Sequence, residues 1–292
     1  MVRPIATRAS IGAWFRRWRV VTLDGSTLDI ADTKPNERAF GRPGSARGKS
    51  GFPQLRFVTL LENGTHVLFG AELGRYNTGE VTLARKVVSR LPADALCLAD
   101  RNFFSYPLWK AALASGAALL WRARSDLILP KLKRLSDGSY LTKIYPSPRA
   151  RARDVDGIWA RLITYRLGKG REEYRLLCSI LDPRKAPAIQ LANLYIKRWT
   201  VETVLAELKT RLRGARVVLR SRIPNLVRQD FWGLLLAHFG VRALMHEAAL
   251  EQKIEATDLS FVHALRTVAR YLPLYVSFFP SAEQEALQIT LA

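Results

Sequence analysis

Two aspartates stand where oxygen-ligand chemistry could be done. Asp24 follows the apolar run Arg19-Val20-Val21-Thr22-Leu23, and Asp100 follows the run from Ala95 to Ala99. Each run predicts a buried strand, and in open sheets with helices on their faces, sites form at strand carboxyl ends. Adjacent strands would bring the two carboxylates together to hold hard divalent cations through oxygen. A third carboxylate, on a helix packed beside the sheet, would complete a two-cation centre. Such a centre activates an attacking oxygen and stabilises the leaving one in phosphoryl transfer. The competing reading makes each aspartate a cap or a turn residue, Asp24 above all because Gly25 follows it. Asp29 and Asp32 are rival acids nearby.

Polar groups of a second kind lie further along. Apolar spacing predicts one long helix from Pro187 to Arg213. At about 100° per residue, Arg198, Glu202 and Lys209 fall at roughly 300°, 340° and 320° from Tyr195. One stripe therefore offers a phenol, a guanidinium, a carboxylate and an ammonium. Leu194, Leu205, Leu208 and Leu212 fall on the adjoining face and predict its burial. The plainer reading of Arg198 and Glu202 is an i, i+4 ion pair, which contributes little to stability when exposed.

The elements that must position these groups read as follows. Arg19–Leu23 and Thr27–Ala31 predict two strands separated by an Asp24-Gly25 turn. Residues 36–52, rich in Gly, Arg and Ser, predict a mobile loop. Residues 55–61 and 65–71, with Asn63-Gly64 between them, predict a hairpin. Residues 80–91 and 105–114 predict helices, the second capped by Ser105 with Pro107 in its first turn. Residues 95–99 and 117–123 predict apolar strands. Residues 125–183 change character, with Pro130, Pro146 and Pro148 and β-rich runs at 158–167 and 174–180, and predict an inserted β-rich segment. Helices at 225–250 and 259–271 close the chain, and amphipathic spacing predicts that they pack on the core rather than carry dimer contacts.

Composition narrows the chemistry. The 292 residues carry 46 Lys and Arg against 25 Asp and Glu, a net charge of +21. Charge of that sign and size points to a polyanionic partner, nucleic acid first. It concentrates in residues 141–223, which hold 19 basic and 7 acidic residues. Cys97 and Cys178 lie in apolar runs and predict buried free thiols, in keeping with a reducing cytoplasm. The opening residues are expected to hold no secretory leader. The most apolar run, Phe231–Met245, is too short and too interrupted to span a membrane. The four histidines form no HExxH, no phosphate-binding Gly-x4-Gly-Lys-Ser/Thr loop is present, and serine or cysteine hydrolase chemistry finds no support.

The spacing Tyr195-x2-Arg198-x3-Glu202-x6-Lys209 resembles the YREK signature of bacterial DDE transposases of the insertion-sequence-4 type. Further stretches agree in order: Asp24-Gly25-Ser26-Thr27-Leu28, Asp32-Thr33-Lys34-Pro35-Asn36, Asp100-Arg101-Asn102-Phe103-Phe104-Ser105 and Leu219-Arg220-Ser221. The likeness covers residues 18–270 or so. It implies an α/β fold: a ribonuclease-H-like core interrupted by a β-rich insertion before the glutamate helix. The division is 1–124 for the first part of the core, 125–185 for the insertion, and 186–292 for the helical completion. It also carries the catalytic and metal-binding triad onto Asp24, Asp100 and Glu202, with two Mg²⁺ ions as cofactor and Mn²⁺ as substitute. DNA contacts fall on Tyr195, Arg198 and Lys209, and with them on Arg101 and Trp199. Two departures stand out. Asn102 occupies the position where the family has glycine, and Asn tolerates positive φ best among the alternatives. Family members carry a further helical domain ahead of the first aspartate, so the resemblance implies an N-terminally shortened chain.

The implied activity is cut-and-paste DNA transposition: metal-dependent cleavage at transposon ends, then strand transfer into target DNA. Partners would be double-stranded DNA and, on DNA, a second copy of the chain, in the bacterial cytoplasm at the nucleoid. Some relatives form a hairpin with a flipped base stacked on tryptophan; Trp199 and Trp159 are candidate platforms, with core packing as the plainer reading of each. One rival is a catalytically inactive remnant that binds DNA or inhibits full-length transposase. A second is a metal nuclease indifferent to end sequence.

Overall fold

The computed structural model describes residues 2–45, 48–49, 51–166, 173–212 and 218–271. A ten-stranded mixed sheet runs through it. Its first half holds β1 (Trp14–Phe15), β2 (Trp18–Asp29), β5 (Gln54–Glu62), β6 (Val67–Arg75), β7 (Ala95–Ala99) and β8 (Ala118–Arg122). Its second half holds β9 (Lys133–Arg134), β10 (Tyr140–Ile144), β11 (Ile158–Arg166) and β12 (Glu173–Cys178). The order is β6-β5-β2-β7-β8-β12-β11-β10-β9, with β1 folded back on β2. The pairs β2–β7 and β7–β8 are parallel and the others antiparallel. The β-rich stretch after residue 125 therefore extends the same sheet, joined through β12 to β8.

Two corrections concern the first aspartate. β2 is one strand of twelve residues, not two strands and a turn. Its antiparallel register with β5 runs straight through Asp24 and Gly25, opposite Thr59 and Val58. A Cβ on Gly25 would lie 3.1 Å from the Phe57 carbonyl oxygen and 3.2 Å from Glu80 Oε1, so glycine here answers close packing within a strand. The Gly-rich stretch is also not a plain loop. α1 (Lys34–Phe40) runs into it, with the Thr33 hydroxyl accepting from the Asn36 amide and Pro35 in the first turn. A two-stranded hairpin follows, β3 (Gly44–Ser45) with β4 (Gly48–Lys49).

Alternation along the strands divides the core. Val21 and Leu23 of β2, with Ala95, Cys97 and Ala99 of β7, face α2 (Glu80–Val87) and α3 (Tyr106–Leu113). Val20, Leu96 and Leu98 face α5 (Ala188–Ile196) on the other side. There α6 (Thr200–Ala206) and α7 (Pro224–Gln252) cover the far end of β2 together with β5 and β6. α4 (Pro148–Ala152) is a short turn between β10 and β11, and α8 (Phe261–Tyr271) packs against α7. That packing agrees with the amphipathic spacing of both C-terminal helices. The Asn63-Gly64 hairpin forms as expected, and Cys97 and Cys178 are buried and free. Burial pushes their thiols up to about 12 and about 11, out of the reactive range.

The predicted long helix is broken by changes of pitch. A 3₁₀ turn at Lys197–Trp199 separates α5 from α6, and a π-turn occupies Glu207–Arg211. Single-pitch angles therefore fail across it.

Candidate active site

Asp24 and Asp100 are brought together by strand register. Leu23 pairs with Ala99 in the parallel β2–β7 ladder, so the residue after each of them emerges beside the other. β7 ends there while β2 continues. Asp24 is thus a mid-strand residue lying where its parallel neighbour stops, which restores a strand-end site by another route. The β5–β6 ladder slips register between Val58 and Leu60, and Thr59 between them is Asp24's partner. Such irregularities re-aim side chains near sites.

The broken helix lies along the same face of β2, and alternate strand residues meet it in turn. Thr22 donates to Asn63 Oδ1 at 2.9 Å, and Asn63 Nδ2 donates to the Thr200 hydroxyl at 3.4 Å. Arg198 Nη1 lies 3.4 Å from Asp24 Oδ2, and Lys209 Nζ donates to Ser26 Oγ at 3.0 Å. Tyr195 is buried, and its hydroxyl donates to the carbonyl of Ala99 at 3.1 Å. The phenol thereby fixes the helix to the strand end that carries Asp100. Its burial raises its pKa, so it acts as a neutral donor.

Asp24 has an unusual electrostatic setting. Its carboxyl is pushed up to about 6, first by burial and then by the negative charges of Asp100 and Glu80. The Gly25 amide, 2.8 Å from Oδ1, and the Arg198 guanidinium pull the other way. Glu80, in the first turn of α2, was invisible as a neighbour in sequence, since it reaches the site only through the gap left by Gly25. Oxygen-only donors crowded with like charge suit a hard divalent cation, and Asp24 with Asp100 meets that description.

The remaining predicted residues divide. Glu202 is exposed on α6, one turn beyond Arg198, and among the described residues no three His, Cys, Asp or Glu side chains are gathered for a metal ion. Arg198 is buried, not exposed as an i, i+4 pair with Glu202 would be, and its carboxylate partner is Asp24. Arg101 is exposed, while Asp100 Oδ1 accepts the Asn102 amide at 2.7 Å. Trp199 and Trp159 are exposed at 55% and 46%, so neither is a core residue. Arg198 lies 5.1 Å over the Trp199 ring and Lys143 4.9 Å over that of Trp159. The rival acids have other partners: Asp29 accepts from Gln54 and Asp32 pairs with Arg42.

Two sequence motifs hold each other. Buried Asn36 donates to the carbonyls of Ala31 at 3.1 Å and Ser221 at 2.9 Å, and the Thr33 hydroxyl donates to that of Arg222. Ile30 bridges Leu219. The Asp32-to-Asn36 stretch thus ties the end of β2 to the segment that enters α7. A further buried cluster went unread in sequence. Glu207 of the π-turn pairs with Arg242 and lies 3.2 Å from His238 Nε2, both on α7.

The chain is similar to known transposases. The family described as Transposase DDE domain matches residues 17–239. The transposase InsG of insertion sequence element IS4 from Escherichia coli is 31% identical over 87% of this chain and 58% of its own length. The putative transposase InsZ from the same organism is 24% identical over 40% of the chain and 38% of its own. The chain thus spans about half the length of these curated relatives. A piggyBac transposase synaptic complex with hairpin DNA, 14% identical, superposes with a TM-score of 0.52 over 92% of this chain and 54% of that one. That likeness is one of fold, the ribonuclease-H-like α/β architecture. By its family match and its identity to the insertion-sequence relative, the chain belongs to the DDE transposases of the insertion-sequence-4 type.

Proposed function

We propose that the chain carries the catalytic core of a DNA transposase that cleaves phosphodiester bonds at transposon ends and transfers the freed strand. The observation that carries this reading is the emergence of Asp24 and Asp100 side by side, with Arg198 of the helical run against Asp24. Asp24, Asp100 and Glu202 would hold divalent cations, Mg²⁺ with Mn²⁺ as substitute. Bound there, the cations supply Lewis acidity to the phosphodiester and its attacking oxygen. The chain's own residues orient the DNA. Arg198 presents a planar fork and Lys209 a point charge to the backbone. Tyr195 holds the helix against the strand end, and Arg101 and Trp199 lie open to a nucleic acid. A second copy of the chain on paired DNA ends, and the division at residues 124 and 185, belong to the same proposal.

The test is Mg²⁺-dependent nicking of an end-sequence duplex by Glu202→Gln. The expected result is loss of nicking by 100-fold or more with DNA binding kept. Undiminished nicking contradicts the assignment.

A further inference from the structure

At the opposite pole of the sheet from Asp24 and Asp100, an open groove of about 770 Å³ runs past the starts of β7 and β8 and the end of β12. Arg8, Arg17 and Lys185 line it. It also holds two carboxylates, but both are engaged: Asp94 faces Arg19 at 3.6 Å and Asp182 pairs with Arg184 at 3.1 Å. The three cations are exposed, and among the described residues none is within 4.0 Å of a carboxylate, although the charge of Lys185 acts on Asp182. The groove is therefore positive.

Its rim is built rather than incidental. Arg16 and Arg17 form the two-residue tip of the β1–β2 hairpin, in which Phe15 pairs with Trp18. Arg16 holds φ +55°, a conformation such tips commonly give to glycine. The strained residue is anchored: its guanidinium donates to the Arg184 carbonyl at 2.8 Å and to Gln190 Oε1 at 3.2 Å. That fixes the tip against the loop carrying Lys185. Aromatic rings hold the other two guanidiniums, with Arg8 3.7 Å over Trp14 and Arg17 4.8 Å over Trp18. Arg8 Nη1 also donates to the Arg17 carbonyl. Fixed cations spaced along a groove, in excess over its two carboxylates, suit a rigid polyanion more than a small acid.

We propose that this groove binds the phosphodiester backbone of duplex DNA, as a second contact separate from the reaction centre. This rests on the reading of DNA as substrate. Asp24 lies seven positions along the extended chain from Arg17, roughly 23 Å at about 3.3 Å per step. A duplex seated here is thus bound well outside the scissile bond, without reading bases.

The experiment measures affinity for a 40-base-pair duplex of arbitrary sequence against salt. It uses wild type, Arg17→Gln/Lys185→Gln, and the control pair Arg85→Gln/Lys110→Gln, which removes equal exposed charge from α2 and α3. Each phosphate contact contributes about 0.9 to the slope of log K on log salt. The groove pair is expected to lower that slope by about 2 and to weaken binding on the order of tenfold or more at 0.1 M salt. The control pair is expected to leave the slope unchanged. An unchanged slope in the groove pair overturns the proposal, and so does an equal fall in the control pair. Nicking at saturating DNA is expected to survive in the groove pair, so its loss by Glu202→Gln remains a separate question.

Discussion

Ionised Asp24 is held against its own burial. Its folded pKa, about 6, lies above the ordinary 3.8, so the folded state keeps the proton longer than the unfolded one. The resulting stability is fully present below about pH 4 and is lost as pH rises through 6. At pH 7 the carboxylate therefore costs up to about 3 kcal/mol. Asp24→Asn, which cannot ionise, is expected to be more stable than wild type at pH 7 and to lose that advantage near pH 4. Urea midpoints at the two pH values check this, and a variant less stable at pH 7 contradicts it. Stability given up at a functional residue is common. The identity of the two aspartates was legible in sequence because apolar strands precede both. The neighbours that tune Asp24 were not, since Glu80 and Arg198 reach it from elements 56 and 174 residues further along the chain.

At the scale of elements, changes of helical pitch decide which side chains reach the strand. The sequence stripe of Tyr195, Arg198, Glu202 and Lys209 assumed one pitch. Tyr195 is instead buried at the end of α5, Arg198 is buried within the 3₁₀ turn, and the π-turn aims Glu207 at α7. Truncating Glu207 would leave Arg242 buried and unpaired. Glu207→Ala is expected to cost about 3–5 kcal/mol in chemical denaturation, and a cost under about 1 kcal/mol would remove the cluster from this account. The β5–β6 turn gives a second check. A Cβ on Gly64 would overlap the backbone of Ala13 in the N-terminal segment. Buried Glu62 clamps that segment by accepting the amides of Ile5 and Ala6 at 3.0 Å. Gly64→Ala is expected to destabilise by roughly 1–3 kcal/mol, seen as a thermal midpoint lower by several degrees. An unchanged midpoint would mean that the segment is not held there. Asn63-Gly64 reads correctly as a turn, but for Gly64 the stronger reason is long-range approach, which local sequence does not encode. Asp24-Gly25 carries the same local signal and lies inside a strand, because β5 supplies an uninterrupted partner on one side.

For the whole molecule, net charge and family motifs were the legible part. The charge of +21 pointed to a polyanion, and the four-residue signature with two aspartate motifs pointed to one family. Less legible was the sheet's continuity, since the β-rich stretch reads as separate in composition yet joins β8 through β12. Among the described residues no helix is long and apolar enough to cross a membrane. The central claim is that Asp24 and Asp100 make one reaction centre. Its most direct test is Mg²⁺-dependent cleavage of a duplex carrying the flanking inverted repeat, wild type beside Asp100→Asn. The account predicts nicks at the repeat boundary in wild type and none above background in the variant, with both proteins binding the duplex. Equal nicking by both proteins, or binding without nicks in either, would contradict it.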